Sequence, residues 1–325
     1  MRVLISGYYG FGNLGDEALL TGIVTTLKGS GHNITVLSGN PESTKKLHEV
    51  NAVHRYKAVF PALLNCDALV SGGGGLLQDH SSRRSLQYYL WLIRLAKLFR
   101  KRVLVYGQSI GPLSDWGKLA VASTLKNIPI AVRDERSQAL LSSLNLNSEL
   151  IADAALLIPK PRIIQKDYTL LVPRHGYPFI TEALIEAARA LQNQNQAVAL
   201  ASVQANEDKI EIAKILEVCP DIPVLDASTP QTFLAHIAKA KYVISGRLHG
   251  LILAAVANVD YAGLVYDPKV RAFLEETGAV IIDKTTDTKD IIKVILEKPE
   301  VDMQKLELVK ARAESGKRWL EKTLS

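Results

Sequence analysis

Strand-like and helix-like runs alternate along almost the whole chain, and the alternation stops once and restarts. Short apolar runs of the length of a buried strand are each followed by a longer run with helical spacing. Parallel sheets with helices as crossovers satisfy such a pattern, because each crossover needs a dozen or more residues. The spacing predicts strands at 2–6, 34–37, 68–71, 103–106 and 130–133, with a helix at 17–28 after the first. Pro159-Lys160-Pro161-Arg162 then reads as a linker. Beyond it, strands are predicted at 169–172, 197–202, 223–225, 241–244 and 261–265, and helices at 179–192, 207–218 and 233–240. A last helix at 303–324 carries Leu306, Leu308, Val309, Ala313 and Trp319 among many charges, which suits a surface helix packing back on the first half. The predicted fold is α/β, with two Rossmann-like parallel-sheet domains at 1–158 and 165–325 facing a cleft, where ligands usually sit.

Composition narrows the class. At 325 residues the chain is long for one core and suits two domains. Apolar residues make up 47% and charged residues 22%, which excludes a disordered chain. No apolar run approaches the roughly 20 residues of a membrane span, and the first residues run straight into a strand without a cleavage region. Cys66 and Cys219 lie far apart in apolar contexts and form no metal or redox spacing. A cytoplasmic, disulfide-free protein is expected. The net charge of +6 suits anionic substrates or an anionic membrane surface, and nucleic acid is not an expected partner.

Chemistry concentrates first in Ser245-Gly246-Arg247-Leu248-His249-Gly250. A buried strand that turns through glycine into an apolar helix presents free N–H groups and a positive dipole end, a ready anion site. Arg247 is able to grip a planar carboxylate or phosphate with two parallel hydrogen bonds, and His249 to exchange a proton near neutral pH. The competing reading pairs Arg247 with a carboxylate and leaves His249 to cap a loop.

Three glycine-bearing stretches follow strands of the first half. Gly10-Phe11-Gly12-Asn13-Leu14-Gly15 matches G-x-G-x-x-G literally, although no acidic residue closes the second strand, and Asn13 and Asp16 equally suit a helix cap. Gly72-Gly73-Gly74-Gly75-Leu76-Leu77-Gln78-Asp79 lacks the Lys-Ser/Thr of a nucleotide P-loop. Gly107-Gln108-Ser109-Ile110-Gly111-Pro112 is the third, and the three together read as one wall of a binding cleft. After the next strand, Arg133-Asp134-Glu135-Arg136 is either a salt-bridged helix start or a source of cleft arginines, and Asp153 either a cap or an arginine's partner.

Taken in order, Gly12-Asn13-Leu14-Gly15-Asp16-Glu17, the 72–79 stretch, Gly107 to Pro112, Arg133 to Ser137, Asp153-Ala154-Ala155, Ser245 to Gly250 and Tyr266-Asp267-Pro268-Lys269-Val270 resemble the polysaccharide pyruvyl transferase family. Its CsaB branch, which modifies bacterial cell-wall polymers, is the most similar. The resemblance covers nearly the whole chain; one departure is Asn258-Val259-Asp260-Tyr261 where a Gly-Val-Pro type of turn is expected. It implies an architecture like that of GT-B glycosyltransferases. It also implies transfer of an enolpyruvyl unit from phosphoenolpyruvate to a sugar, closing to a pyruvate ketal with release of phosphate. By that resemblance Arg247 and His249 are catalytic. Phosphoenolpyruvate is expected at Arg247, Gly246, Lys269 and Arg133, and the acceptor at Asn13, Asp16, Gly73, Gly74, Asp79 and Gln108. No metal site and no cofactor beyond phosphoenolpyruvate as co-substrate are expected. A nucleotide-sugar glycosyltransferase is the alternative, and a non-catalytic sugar-binding protein a further one. The implied acceptors include lipid-linked saccharides. Residues 83–102 read as one helix with Arg83, Gln87, Arg94, Lys97 and Lys101 in a stripe, so peripheral contact with an anionic membrane is expected there.

Overall fold

A computed structural model of the chain describes residues 1–162 and 167–325, so the boundary expected at residue 165 lies outside the described residues. Two compact units emerge, Met1–Ile158 with Lys310–Ser325, and Pro159–Val309.

The first unit is built on seven strands: β1 (Arg2–Tyr9), β2 (Asn33–Ser38), β3 (Asn51–His54), β4 (Ala68–Leu77), β5 (Arg102–Ile110), β6 (Ile130–Val132) and β7 (Glu149–Leu150). They run parallel in the order β3-β2-β1-β4-β5-β6-β7. Successive side chains of a strand point to opposite faces. Val3, Ile5, Val70 and Leu104 accordingly pack under the helix Leu14–Gly29, while Leu4, Leu69 and Val105 pack under the helix Arg83–Leu98. Both faces being covered, the central strands open on apolar runs, Val3-Leu4-Ile5, Ala68-Leu69-Val70 and Val103-Leu104-Val105.

Five strands form the second unit: β8 (Tyr168–Val172), β9 (Val198–Leu200), β10 (Ala240–Ser245), β11 (Tyr261–Leu264) and β12 (Val280–Ile282). All pairs are parallel, in the order β12-β11-β10-β8-β9. The helix after β10, Leu248–Ala257, is apolar all round, and every residue from Gly250 to Ala257 is buried.

Four differences from the sequence reading have physical causes. The glycines read as loops belong to strands, since Gly72 pairs with Tyr106 and Gly74 with Gln108 in the β4–β5 ladder. Positive φ at Gly73, Gly74 and Gly107 keeps the backbone in register with its neighbours through a local irregularity. Strand β3 escaped notice because Asn51-Ala52-Val53-His54 has almost no apolar run, and 223–225 contributes only an isolated bridge between Leu200 and Val224. The 83–102 helix stops at Leu98, and its apolar side (Leu86, Tyr89, Leu90, Ile93) is core beneath the sheet, not a membrane-facing side. Its stripe is likewise engaged internally: Arg94 donates to Thr124 Oγ1 at 2.8 Å, Lys97 to the Thr124 carbonyl at 3.1 Å, and Lys101 to the Cys66 carbonyl at 2.8 Å. Among the described residues no helix is long and apolar enough to cross a membrane.

The last helix, Met303–Leu324, buries Leu306, Val309, Ala313, Leu320 and Leu324, while Leu308 faces water. Its end completes the first unit: Trp319 stacks on Tyr106 at 6.2 Å, and Arg102 Nη1 donates to the carbonyl of Ser325 at 2.7 Å.

The Leu14–Gly29 helix lies hard against the short 3₁₀ turn Ala154–Leu157 at one point. A Cβ on Gly22 would fall 1.8 Å from the Ala154 carbonyl oxygen. Backbone cannot step aside as a flexible side chain does. Gly22→Ala is therefore expected to lower stability by about 1–3 kcal/mol, the usual cost of overpacking, although alanine is the better helix former. Urea unfolding checks this, and a variant as stable as the parent would contradict the close contact.

Candidate functional site

In a parallel sheet every strand delivers its following loop to the same edge, the carboxyl edge. In the second unit, β10 brings Ser245 and Gly246 there. Ser245 Oγ accepts the Arg247 N–H at 3.0 Å and donates to the Arg247 carbonyl at 2.8 Å. A Cβ on Gly250 would lie 2.4 Å from that hydroxyl, so the glycine is required by the turn. Gly246 is held as tightly, with a hypothetical Cβ 2.9 Å from Ile180 Cγ2. The helix Leu248–Ala257 begins at Arg247 with no side-chain cap, which leaves its positive end open. His249 stands in that first turn, half-buried. Lys269, also half-buried, occupies the first turn of the helix Pro268–Thr277 after the neighbouring strand β11.

Arg247 is 8% exposed, and its planar fork already holds a carboxylate. Nε donates to Asp208 Oδ2 at 3.2 Å, Nη2 to Asp208 Oδ1, and Nη1 to Gln204 Oε1 at 3.0 Å. Asp208 is fully buried and also accepts the His175 N–H at 3.2 Å and the Ser202 hydroxyl at 3.1 Å. A two-pronged grip on a donor by Arg247 alone therefore needs Asp208 to be displaced, which corrects the simplest form of that expectation.

The same edge carries two groups the sequence reading missed. Arg174, after β8, donates from Nη1 to Glu207 Oε2 at 2.7 Å and lies over the rings of Tyr266 and Tyr177 at 5.5 and 5.9 Å. Its buried Nε has no hydrogen-bond partner among the described residues. Burial opposes the charge on Glu207, yet Arg174 and Arg247 together hold its carboxyl below the usual range. His175, 40% exposed at its side chain, shares its Nδ1 with the buried Glu211 at 3.0 Å. The signal was present: Val172-Pro173-Arg174-His175-Gly176 repeats the arrangement of an arginine and a histidine just past a strand end.

At the carboxyl edge of the first unit the expected acceptor residues divide. Asn13 is a helix cap, its Oδ1 accepting the Gly15 N–H at 3.0 Å. Asp79 accepts the Ser114 N–H at 2.8 Å and so braces the start of the helix Asp115–Leu125. Gly73 and Gly74 face inward: a Cβ on Gly73 would meet Tyr9 Oη at 3.1 Å, and one on Gly74 would meet Asp16 Oδ1 at 3.1 Å. Gln108 is fully buried and donates to Ser71 Oγ at 2.9 Å, while its Oε1 has no partner among the described residues. Asp16 is half-buried beside that edge, and burial pushes its carboxyl up to about 7, with the nearby Arg133 pulling the other way. Arg133 is buried and paired with Asp153 at 2.5 Å, with Nε on Ser109 Oγ at 2.9 Å. It belongs to the first unit, where its Nε and Nη1 are engaged. A buried pair of Glu17 and His48 at 2.7 Å, unforeseen in the sequence, supports the first loop, where Glu17 also accepts the Gly10 N–H at 2.8 Å. Among the described residues no three His, Cys, Asp or Glu side chains are grouped to hold a metal ion.

Two parallel sheets of seven and five strands, each with loops gathered at its carboxyl edge, define a GT-B-like protein. Three solved structures share the fold across the chain. Anabaena HepE, crystallised with UDP and glucose, has a TM-score of 0.63 at 9% identity, covering 100% of this chain and 99% of that one. Methanocaldococcus jannaschii UDP-GlcNAc 2-epimerase has 0.63 at 12% identity, covering 98% of each. Arabidopsis thaliana UGT89C1, complexed with UDP-L-rhamnose, has 0.61 at 10% identity, again covering 98% of each. No curated protein sequence matches the chain. The family model for polysaccharide pyruvyl transferase matches residues 13–268, and the chain belongs to that family.

The raised carboxyl of Asp16 has a consequence for stability. Its folded pKa, about 7, exceeds its unfolded value of 3.8, so the folded state holds the proton more tightly. Stability associated with Asp16 is then intact below the unfolded value and is lost as pH rises towards 7. Asp16→Asn cannot ionise, and is expected to stabilise the protein at pH 8 by on the order of 2 kcal/mol, with a much smaller gain at pH 4.5. Denaturant melts at both pH values check this; equal effects at both would place Asp16 in water.

Proposed function

We propose that the chain transfers an enolpyruvyl unit from phosphoenolpyruvate to a sugar of a cell-wall polysaccharide precursor, as a CsaB-like member of its family. The product is a pyruvate ketal and the leaving group is phosphate. One observation carries the reading: an uncapped helix mouth bearing Arg247 and His249, flanked by Arg174 with a spare buried donor. Phosphoenolpyruvate presents a carboxylate and a phosphate, and the mouth offers N–H groups, a dipole and cations for both. Gly246 permits close approach, Lys269 adds a second cation, and Arg247 contributes charge from the position that Asp208 fixes. Arg174 is the better placed of the two arginines to receive the carboxylate.

In the proposed reaction, protonation of the methylene carbon makes C2 oxocarbenium-like. One acceptor hydroxyl attacks C2, the C2–O bond to phosphate breaks, and a second hydroxyl closes the ketal. Of the two hydroxyl protons, the balance places one on the new methyl group and one on phosphate. An imidazole is the side chain suited to exchange protons near neutral pH, and His249 is the one in the helix mouth that would move one of them. On the acceptor-side unit, Asp16 changes charge near neutrality and suits removal of a hydroxyl proton. The acceptor is a sugar with two hydroxyls that close on one carbon, borne on a lipid-linked saccharide. No further cofactor is required.

Phosphate release from phosphoenolpyruvate in the presence of a lipid-linked saccharide, measured with excess EDTA, tests the proposal. His249→Ala is expected to fold and to lose about 10²–10⁴-fold in turnover. Arg247→Lys, which keeps the charge and loses the planar fork, is expected to raise the apparent constant for phosphoenolpyruvate and leave that for the acceptor. Undiminished turnover in the alanine variant removes His249 from the mechanism. Restoration by magnesium, or stabilisation by UDP with none by phosphoenolpyruvate, favours a nucleotide-sugar glycosyltransferase.

A further inference from the structure

Five exposed apolar side chains share one face of the first unit. Tyr56 (63% exposed), Phe60 (53%) and Leu64 (59%) come from the segment around the helix Val59–Asn65. Trp91 (41%) and Leu98 (74%) come from the outer side of the helix Arg83–Leu98. Their rings are continuous: Phe60 meets Trp91 edge-on at 6.0 Å, Trp91 lies 6.3 Å from Tyr88, and Tyr88 meets Tyr56 edge-on at 5.2 Å. Arg55 beneath Tyr88, 4.4 Å from its centroid, holds that end in place. At the other end Lys101, three residues past Leu98, ties the two helices by donating to the Leu64 carbonyl at 2.9 Å.

These residues are not overflow from the core. The same helices already bury Val59, Leu63, Leu86, Tyr89, Leu90 and Ile93 on their inner sides. A clustered Phe, Trp and two Leu in water marks an interaction surface. Its charge says which. Neither 50–66 nor 80–102 contains a single Asp or Glu, while they contain two and seven arginines or lysines respectively. Lys57, Arg84 and Arg100 among them are exposed.

We infer that this face docks on an anionic lipid bilayer. Phe60, Leu64, Trp91 and Leu98 enter the boundary between headgroups and acyl chains, Tyr56 stays at the headgroup level, and the cations meet lipid phosphates. The face differs from the basic stripe legible in the sequence, because the apolar side of that helix is core. A second copy of the chain is the poorer occupant, since a two-fold contact would set this basic surface against itself. The inference is independent of what the carboxyl edges bind.

Co-sedimentation with phosphatidylcholine vesicles, with and without phosphatidylglycerol, tests it on the full-length protein. Binding is expected only with phosphatidylglycerol and is expected to fall as salt rises. Phe60→Ser with Trp91→Ser, both exposed positions, is expected to reduce the partition coefficient at least about tenfold with an unchanged thermal melt. Trp91 fluorescence is expected to shift to the blue with anionic vesicles in a protein whose Trp116 and Trp319 are replaced by Phe. No sedimentation at low salt, equal sedimentation with both vesicles, or an unaffected double variant would overturn the inference. So would a wild-type dimer that the double variant converts to monomer without any lipid binding.

Discussion

The second unit depends on a carboxylate that has no access to water. Asp208 is fully buried, and an uncompensated charge there would cost several kcal/mol. Arg247 meets it side-on with two hydrogen bonds, and the His175 N–H, the Gln204 N–H and the Ser202 hydroxyl complete its shell. These partners come from the loops after β8, β9 and β10. One ion pair therefore fixes three neighbouring loops at the carboxyl edge, and with them the mouth of the helix Leu248–Ala257. Removing one member of such a pair typically costs about 3–5 kcal/mol, because the other is left buried and alone. Glu207 extends the network outward by joining Arg247, at 3.4 Å, to Arg174, at 2.7 Å. Of the two arginines Arg174 is the more accessible, 22% exposed at its side chain against 9% for Arg247.

The first unit solves the same problem differently. Arg133 and Asp153 form its buried pair, and Ser109 links them to Asp134, the cap of the helix Glu135–Ser143. Glu17 and His48 form another. Arg133, already paired with Asp153, offsets the burial of Asp16 only in part, so burial dominates and the Asp16 carboxyl rises to about 7. Two aspartates at two sheet edges thus have opposite tasks. Asp208 is tied to Arg247 in the pair that organises its edge, and Asp16 is the carboxyl that burial raises to about 7.

Much of this fold was legible because buried parallel strands are short, apolar and bounded by glycine. Val3-Leu4-Ile5 and Tyr242-Val243-Ile244 could hardly read otherwise. The extension of β4 through Gly72 to Leu77 was not legible, since glycine signals a turn locally and only cross-strand pairing with β5 makes it a strand. The motif around Arg247 and His249 was legible as a strand–helix mouth. The partner of Arg247 was not: Asn206-Glu207-Asp208 reads as the acidic first turn of a solvated helix, and burial of Asp208 emerges only once β8 and β10 lie side by side. Asn13 shows the reverse case, a polar residue in a ligand-like loop whose side chain is a helix cap.

The central claim is that the carboxyl edge of the second unit receives phosphoenolpyruvate through Arg174 and the helix mouth at Arg247. Isothermal titration with phosphoenolpyruvate is the most direct measurement, since it needs no acceptor. The account predicts saturable binding to the wild-type protein, weakened at least about tenfold by Arg174→Gln, and unchanged by Asp79→Asn in the first unit. Binding that Arg174→Gln leaves intact, or no binding of phosphoenolpyruvate at all, would contradict it.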